Sequence, residues 1–263
     1  MSARGPQSQA ADIARQAREL LGQVRESRWP GFAPPAKQAA PKPALRPAHK
    51  PAAPPRPPAP VIEAPSPWSS LEQIAQVVST CTKCPLHATR THTVPGEGAV
   101  KARLMFIGEA PGVDEDRLGR PFVGAAGQLL DKMIKGMGLA RDQVFIANIL
   151  KCRPPGNRDP QDDEVAACIP YLRAQIALIR PEVICSLGRH ATHALLERKD
   201  PIGKLRGRFF EYRGSRLMPT FHPSYLLRTP ADRKPAWKDL QQIMVLLGLP
   251  LPLPTPRPTE ENN

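Results

Sequence analysis

Three short apolar runs, "RLMFIG" (103–108), "VFIANIL" (144–150) and "EVICSLG" (182–188), are separated by longer stretches in which apolar and polar residues recur at helical spacing. Apolar runs of this length, with little polar alternation, predict strands buried on both faces. The stretches between and after them predict helices over about 125–137, about 160–179 and about 190–197. The second has the clearest start: Asp159 as N-cap, Pro160 at the first helical position, and Asp162, Asp163 and Glu164 in the first turn. It stops before Pro181. Ser69 or Ser70 caps a short helix running through Val78, "RGRFFEYRGSRLMPTFHP" reads as a hairpin turning near Gly214, and a final helix spans about Trp237 to Leu247. Strands alternating with helices imply an α/β fold with a parallel sheet covered on both faces. Such sheets bind ligands at the carboxyl ends of their strands, here the loops after Ile107, Ile149, Leu187 and, by extension, Phe221.

Outside this region the pattern changes. Residues 12–25 place Ile13, Ala17, Leu20, Leu21 and Val24 on one helical stripe with no adjacent domain to cover it, which reads either as a helix that frays or docks back on the domain or as one that docks on a protein partner. Residues 30–67 hold 14 of the chain's 34 prolines, an extended Pro/Ala-rich tether that cannot bury a core. The expected division is therefore a helix region (1–29), a linker (30–67), one folded domain (68–248) and a Pro-rich tail (249–263).

Charge narrows the partners. The net charge is +13, and the residues beyond position 67 carry 27 basic against 20 acidic side chains, so the folded part is itself basic and suits a polyanion. No apolar run is long enough to span a bilayer and no signal-peptide core is present, so a cytoplasmic, monomeric protein is expected. In that compartment five cysteines read as thiols or metal ligands rather than disulfides.

The loops carry the unusual chemistry. "GEAPGVDEDRLGRPFVG" is a tight loop whose four acids would repel a phosphate. Phe122 within it is either a core residue or a ring for stacking a planar ligand. Asn148, at the end of the second strand, offers a donor and an acceptor side by side, which matches one edge of a base. Cys81, Cys84, Cys152 and Cys168 follow the spacing C-x2-C-x67-C-x15-C, and four thiolates from three segments suit either a [4Fe-4S] cluster or a four-cysteine zinc site. Cys185 lies within a strand and reads as core. "FHPSYLLR" (221–228) is too short and irregular for a regular element and reads as a surface turn.

"GEAPG" (108–112), "GRPFVG" (119–124), "NILKCRPPGNR" (148–158) and "HPSYLLR" (222–228), in this order and with these cysteines, resemble the family 4 uracil-DNA glycosylases. The resemblance spans roughly Leu71 to Leu247. It implies a three-layer α/β/α fold, a structural [4Fe-4S] cluster on Cys81, Cys84, Cys152 and Cys168, and hydrolysis of the uracil–deoxyribose bond in single- or double-stranded DNA. It further implies that Gly108, Glu109 and Ala110 lie beside the base, Phe122 stacks on uracil, Asn148 reads its edge and His222 hydrogen-bonds its O2. Glu109 becomes the first choice for orienting water, with Asp114 and Asp116 behind it.

Arg153, Arg158, Ser224 and Arg228 become candidate DNA contacts, with Leu226 as the wedge that enters the duplex and Leu227 as a packing residue. A related family traps its product through a histidine in a "KRRIH" insert, and "RPPGNRDPQ" here has none. Family 1 enzymes carry an aspartate and a tyrosine where this chain has Ala110 and Gly112, so their water-activating carboxylate and thymine-excluding ring are both missing. A zinc deaminase would need a Pro-Cys-x-x-Cys pair that is absent. The alternative that keeps the fold is a non-catalytic iron-sulfur protein that binds nucleic acid.

Overall fold

The structure, a computed structural model, describes residues 67–251. The expected helix over 12–25, almost all of the proline tether and most of the tail lie outside the described residues. Helix α1 (Leu71–Ser79) starts at Ser70, whose Oγ accepts from the Gln73 N–H at 3.2 Å, and it buries Ile74 and Val78. Strands β1 (Glu97–Gly98) and β2 (Leu104–Gly108) follow, then helices α2 (Val113–Leu118) and α3 (Ala125–Gly136) and strand β3 (Phe145–Asn148). The long helix α4 (Asp162–Ile179) leads to β4 (Val183–Leu187), α5 (Gly188–Leu196) and the single-turn α6 (Ile202–Leu205). The chain ends in β5 (Phe210–Tyr212), β6 (Ser215–Thr220), α7 (Pro223–Arg228) and α8 (Arg233–Leu246).

The six strands form one sheet in the order β1-β3-β2-β4-β6-β5. The inner pairings β3-β2, β2-β4 and β4-β6 are parallel, and the short edges β1 and β5 are antiparallel, so the sheet is mostly parallel as expected. Alternate side chains on each strand feed two separate cores. Met105, Ile107, Ile184 and Leu217 pack with α1, α4 and α5 residues such as Ile74, Tyr171 and Leu195 on one face. Leu104, Phe106, Val183, Cys185 and Met218 pack with α3 and α8 residues such as Ile134 and Leu240 on the other. Burial on both faces explains why these strands show no polar alternation, and Cys185 is a fully buried core residue.

Several boundaries differ from expectation for identifiable reasons. Helix α4 starts at Asp162 with Gln161 as N-cap, because Glu164 turns back to accept from the Gln161 N–H at 2.9 Å. Asp159 does not cap it; its carboxylate faces Arg189 and His190 of α5. Helix α5 begins two residues early, directly off β4, through Gly188 at φ 83°. "FHPSYLLR" is not a loose turn: His222 caps α7, with Pro223 at its first position. Helix α8 begins at Arg233, four residues before the expected Trp237. The hairpin turns at Arg213 and Gly214, both at positive φ (48° and 83°), a pairing that matches the twist of two-residue hairpins.

Candidate functional site

Strand register fixes the frame of the site. Gly108 lies opposite Asn148 and Leu187 opposite Thr220, so the parallel strands all end on one edge of the sheet. The segments leaving that edge enclose a cavity of about 690 Å³. Its wall includes Glu109, Ala110 and Phe122 from one loop together with Asn148 and His222 from two distant segments.

Close approach here depends on glycine. A Cβ on Gly108 would lie 2.4 Å from Asn148 Oδ1 and 2.5 Å from the Phe122 ring, so Gly108 does not line the cavity but lets those two side chains meet. Gly127, in the first turn of α3, leaves room for the Phe122 carbonyl, which a Cβ there would strike at 1.9 Å. Phe122 is 5% exposed and holds φ at 50°, a left-handed conformation unfavourable for an aromatic residue. Arg141 opposes that strain, its guanidinium donating to the carbonyls of Pro121 and Phe122 while paired with Glu97 and Asp131. The Phe122 ring centroid is 5.8 Å from that of His222, leaving two aromatic surfaces on one wall.

Asn148 is 1% exposed and its Oδ1 has no hydrogen-bond partner in the protein. An acceptor buried without a partner costs about 1–3 kcal/mol, which a ligand carrying an N–H would recover. His222 supplies the complementary polarity. Its Nδ1 accepts from the Ser224 N–H at 3.1 Å and lies 2.8 Å from Ser224 Oγ, which leaves the ring proton on Nε2. Burial, then Arg228 and His190, hold its basicity down at about 4, so the ring is neutral at physiological pH.

Three carboxylates line the cavity, Glu109, Glu115 and Asp159, and Glu109 directly follows β2. Burial raises the Glu109 pKa to about 7, with the charge of Asp159 adding to the rise and Arg189 opposing it. The other acids of the loop have different places. Glu115 accepts from the N–H groups of Gly112, Val123 and Gly124 and thereby shapes the loop. Asp116 is buried and accepts from the Thr91 N–H, and Asp114 pairs with Arg117 in the open. Neither Asp114 nor Asp116 lines the cavity, which removes both as water-orienting candidates.

The expected DNA-facing residues divide. Arg228 and Ser224 line the cavity. Arg158 also lines it, but both terminal nitrogens hold the buried Glu164, at 2.9 and 2.5 Å. Arg153 lies outside the cavity and donates to Asn157 Oδ1. The two leucines exchange expectations: Leu226 is 1% exposed and packed inside, whereas Leu227 is 40% exposed. A buried side chain cannot enter a duplex, so Leu226 is corrected to packing and Leu227 is the exposed one. Sequence reasoning also missed Asp159, Arg189 and His190 on the cavity wall. The position of "GRHA" directly after a buried strand was the available signal.

The four expected cysteines line a second, small cavity beside α1 and α4. Donors already face their sulfurs: Arg90 Nη1 to Cys152, Tyr171 Oη to Cys81 and the Lys151 N–H to Cys168, each at 3.3 Å. Among the described residues, the side chains whose ligand atoms gather within 4.8 Å of one another are Glu109, Asp159 and His190, and no set of three cysteines does so. Four thiolates brought to one cavity from three segments are a donor set that either a [4Fe-4S] cluster or a four-cysteine zinc site uses. Lys151 joins the two cavities: wholly buried, it donates through Nζ to the Asn148 carbonyl at 2.9 Å and to Gln175 at 2.8 Å.

Residues 95–241 match the family model described as the uracil DNA glycosylase superfamily. The chain is 50% identical over 186 residues to a type-4 uracil-DNA glycosylase of Sulfurisphaera tokodaii, covering 67% of this chain and 84% of that relative. A type-4 uracil-DNA glycosylase of Thermotoga maritima is 46% identical, with 62% and 85% covered. A type-5 uracil-DNA glycosylase of Pyrobaculum aerophilum is more distant, 33% identical with 51% and 66% covered.

Proposed function

The chain belongs to the uracil-DNA glycosylase superfamily and is a DNA-repair glycosylase that releases uracil from DNA; we propose that Phe122, Asn148, His222 and Glu109 carry out the reaction. The observation that carries this assignment is the unpartnered, buried Oδ1 of Asn148 in a wall shared with a flat ring and an Nε2–H donor.

A stacked base cannot reach this cavity, so the nucleotide is extruded at an unstacking cost of a few kcal/mol. Phe122 stacks on the extruded uracil. Asn148 Oδ1 accepts from uracil N3–H and its amide N–H group donates to O4, a pattern that cytosine inverts. The bond between C1′ and N1 breaks with its electron pair remaining on uracil, and the negative charge develops partly on O2. The neutral His222 donates its Nε2–H there, and a donor placed for a developing anion contributes roughly 3 kcal/mol. Water adds to C1′ and passes a proton to the Glu109 carboxylate, leaving an abasic sugar and the uracil anion, which takes a proton from solvent. Because only the ionised Glu109 accepts that proton, activity rises through a midpoint near pH 7, the value to which burial raises this carboxyl.

The four-cysteine cavity holds a [4Fe-4S] cluster in this reading. Its donor set of four thiolates, already facing N–H and O–H donors, fits that group. Cys81 and Cys84 from the segment after α1, Cys152 from the segment after β3 and Cys168 from α4 would hold it, and it would supply a structural cross-link between those segments. Leu227, Ser224 and Arg228 on α7 meet the duplex, with Leu227 filling the space left by the base. The test is incubation of the protein with a uracil-containing oligonucleotide and a thymine control, scored by alkali-labile sites. Cleavage at uracil alone is expected. Binding without cleavage would mark a non-catalytic nucleic-acid-binding protein instead.

A further inference from the structure

We propose that Asp159, fixed by Arg189, is a positioning residue for the reaction: it places a negative charge beside Glu109 and so sets the pH at which that carboxylate becomes able to take a proton from water. The inference rests on the reading of Glu109 as the proton acceptor. Three segments far apart in sequence converge to build the arrangement. Glu109 follows β2, Asp159 lies in the loop between β3 and α4, and Arg189 and His190 open α5. Arg189 Nη2 holds Asp159 Oδ2 at 2.6 Å, and Asp159 Oδ1 lies 3.3 Å from His190 Nε2. His190 Nε2 is in turn 4.0 Å from Glu109 Oε2, and the facing atoms of Glu109, Asp159 and His190 all lie within 4.8 Å of one another.

His190 is a neutral spacer in this cluster. Burial is the chief influence on its ring and holds its basicity down, and Arg189 Nε donates to Nε2 at 2.9 Å, which requires that nitrogen to be unprotonated. Glu109 therefore receives no cationic partner from the imidazole. Two like charges this close disfavour joint ionisation, so Asp159 keeps Glu109 a weaker acid, while Arg189 limits the effect by drawing on Asp159. The remaining charged and titratable groups of the cavity wall are Arg158 from the same loop as Asp159, Glu115 from α2, and His222, Tyr225 and Arg228 from α7, with the Tyr225 hydroxyl donating to Asp232 at 2.6 Å. Arg158 is held by Glu164, Glu115 by the N–H groups of its own loop, and His222 is neutral. Asp159 is the one whose charge stands next to Glu109 and is held there by a dedicated pair.

The residue is also exposed, which gives the proposal a signature that a purely structural role lacks. Its side chain is 63% accessible, so its influence on Glu109 is screened by salt. Single-turnover uracil release from single-stranded DNA, measured against pH on the full chain, tests the idea with Asp159→Asn, Arg189→Gln and Glu109→Gln. Asp159→Asn is expected to move the acid limb about one pH unit lower. Arg189→Gln should move it higher, because Asp159 then loses its counter-charge. The shift of Asp159→Asn should shrink as salt is raised.

An acid limb unmoved by Asp159→Asn, in a protein whose limb vanishes with Glu109→Gln, would overturn the role of Asp159 while leaving Glu109 as the acceptor. A wild-type limb retained in Glu109→Gln would instead overturn the reading of Glu109 on which the proposal depends.

Discussion

The base cavity and the cysteine cavity are both built from polar groups carried into the protein interior, yet they treat those groups in opposite ways. Around the cysteines the polar atoms have partners: Arg90 donates to Cys152 Sγ and the Cys81 carbonyl, Tyr171 to Cys81 Sγ, and Lys151 to Asn148 and Gln175. Around the base cavity, Asn148 Oδ1 has no partner, Glu109 is held at a pKa of about 7 by burial, and Phe122 sits at a strained φ of 50°. The first pattern belongs to a group that stays; the second belongs to a ligand that comes and goes. Strain and unmet polarity persist in a binding site because its ligand relieves them.

The largest effect should come from the resident side of this comparison. On the proposed reading Cys168→Ser removes a cluster ligand carried by α4, and metal-site binding energy is folding energy. Against a stability of about 5–15 kcal/mol, its loss should leave no cooperative melting transition, read by circular dichroism alongside iron content. A normal melt with undiminished iron would show that Cys168 is not a ligand.

On the transient side, the fold should survive and the chemistry should fail. Asn148→Asp is expected to slow uracil release by about 10⁴-fold and to shift the remaining preference toward cytosine, because the edge then meets the wrong polarity. His222→Ala should cost about 10²–10³-fold in single-turnover rate, on single strands as much as on duplex. A variant that melts early would assign these residues to the resident class and break the comparison.

How far the sequence discloses each side follows from what each depends on. The three buried strands, the edge carrying the ligand loops and the four cysteines are local or spacing signals, and all were legible. Asn148 was reachable because it closes a strand, and His222 and Phe122 because their motifs are compact. Asp159 misled because a capping residue and a charge partner use the same side chain, and only the fold brings α5 across to claim it. Arg141 was illegible for a similar reason: it braces the Phe122 carbonyl from 19 positions away in sequence. The leucine pair failed on phase. A six-residue helix is under two turns, so periodicity cannot say which of two adjacent leucines faces inward.

That phase supplies the smallest and most selective test. Leu226 and Leu227 are neighbours on α7, but the first is packed in the interior and the second is exposed next to Arg228, itself on the cavity wall. Leu226→Ala should therefore act through stability, at about 2–5 kcal/mol, with a lowered melting temperature and equal effects on both kinds of DNA. Leu227→Ala touches no core and should melt like the parent. Its loss should appear only where a vacated stack must be filled, at roughly tenfold on duplex and much less on single strands, because losing a wedge forfeits part of a few-kcal/mol unstacking cost. If instead Leu227→Ala slowed both substrates alike, α7 would be acting on the chemical step through His222 at its N-cap, and the exposed leucine would belong to the cavity rather than to the duplex.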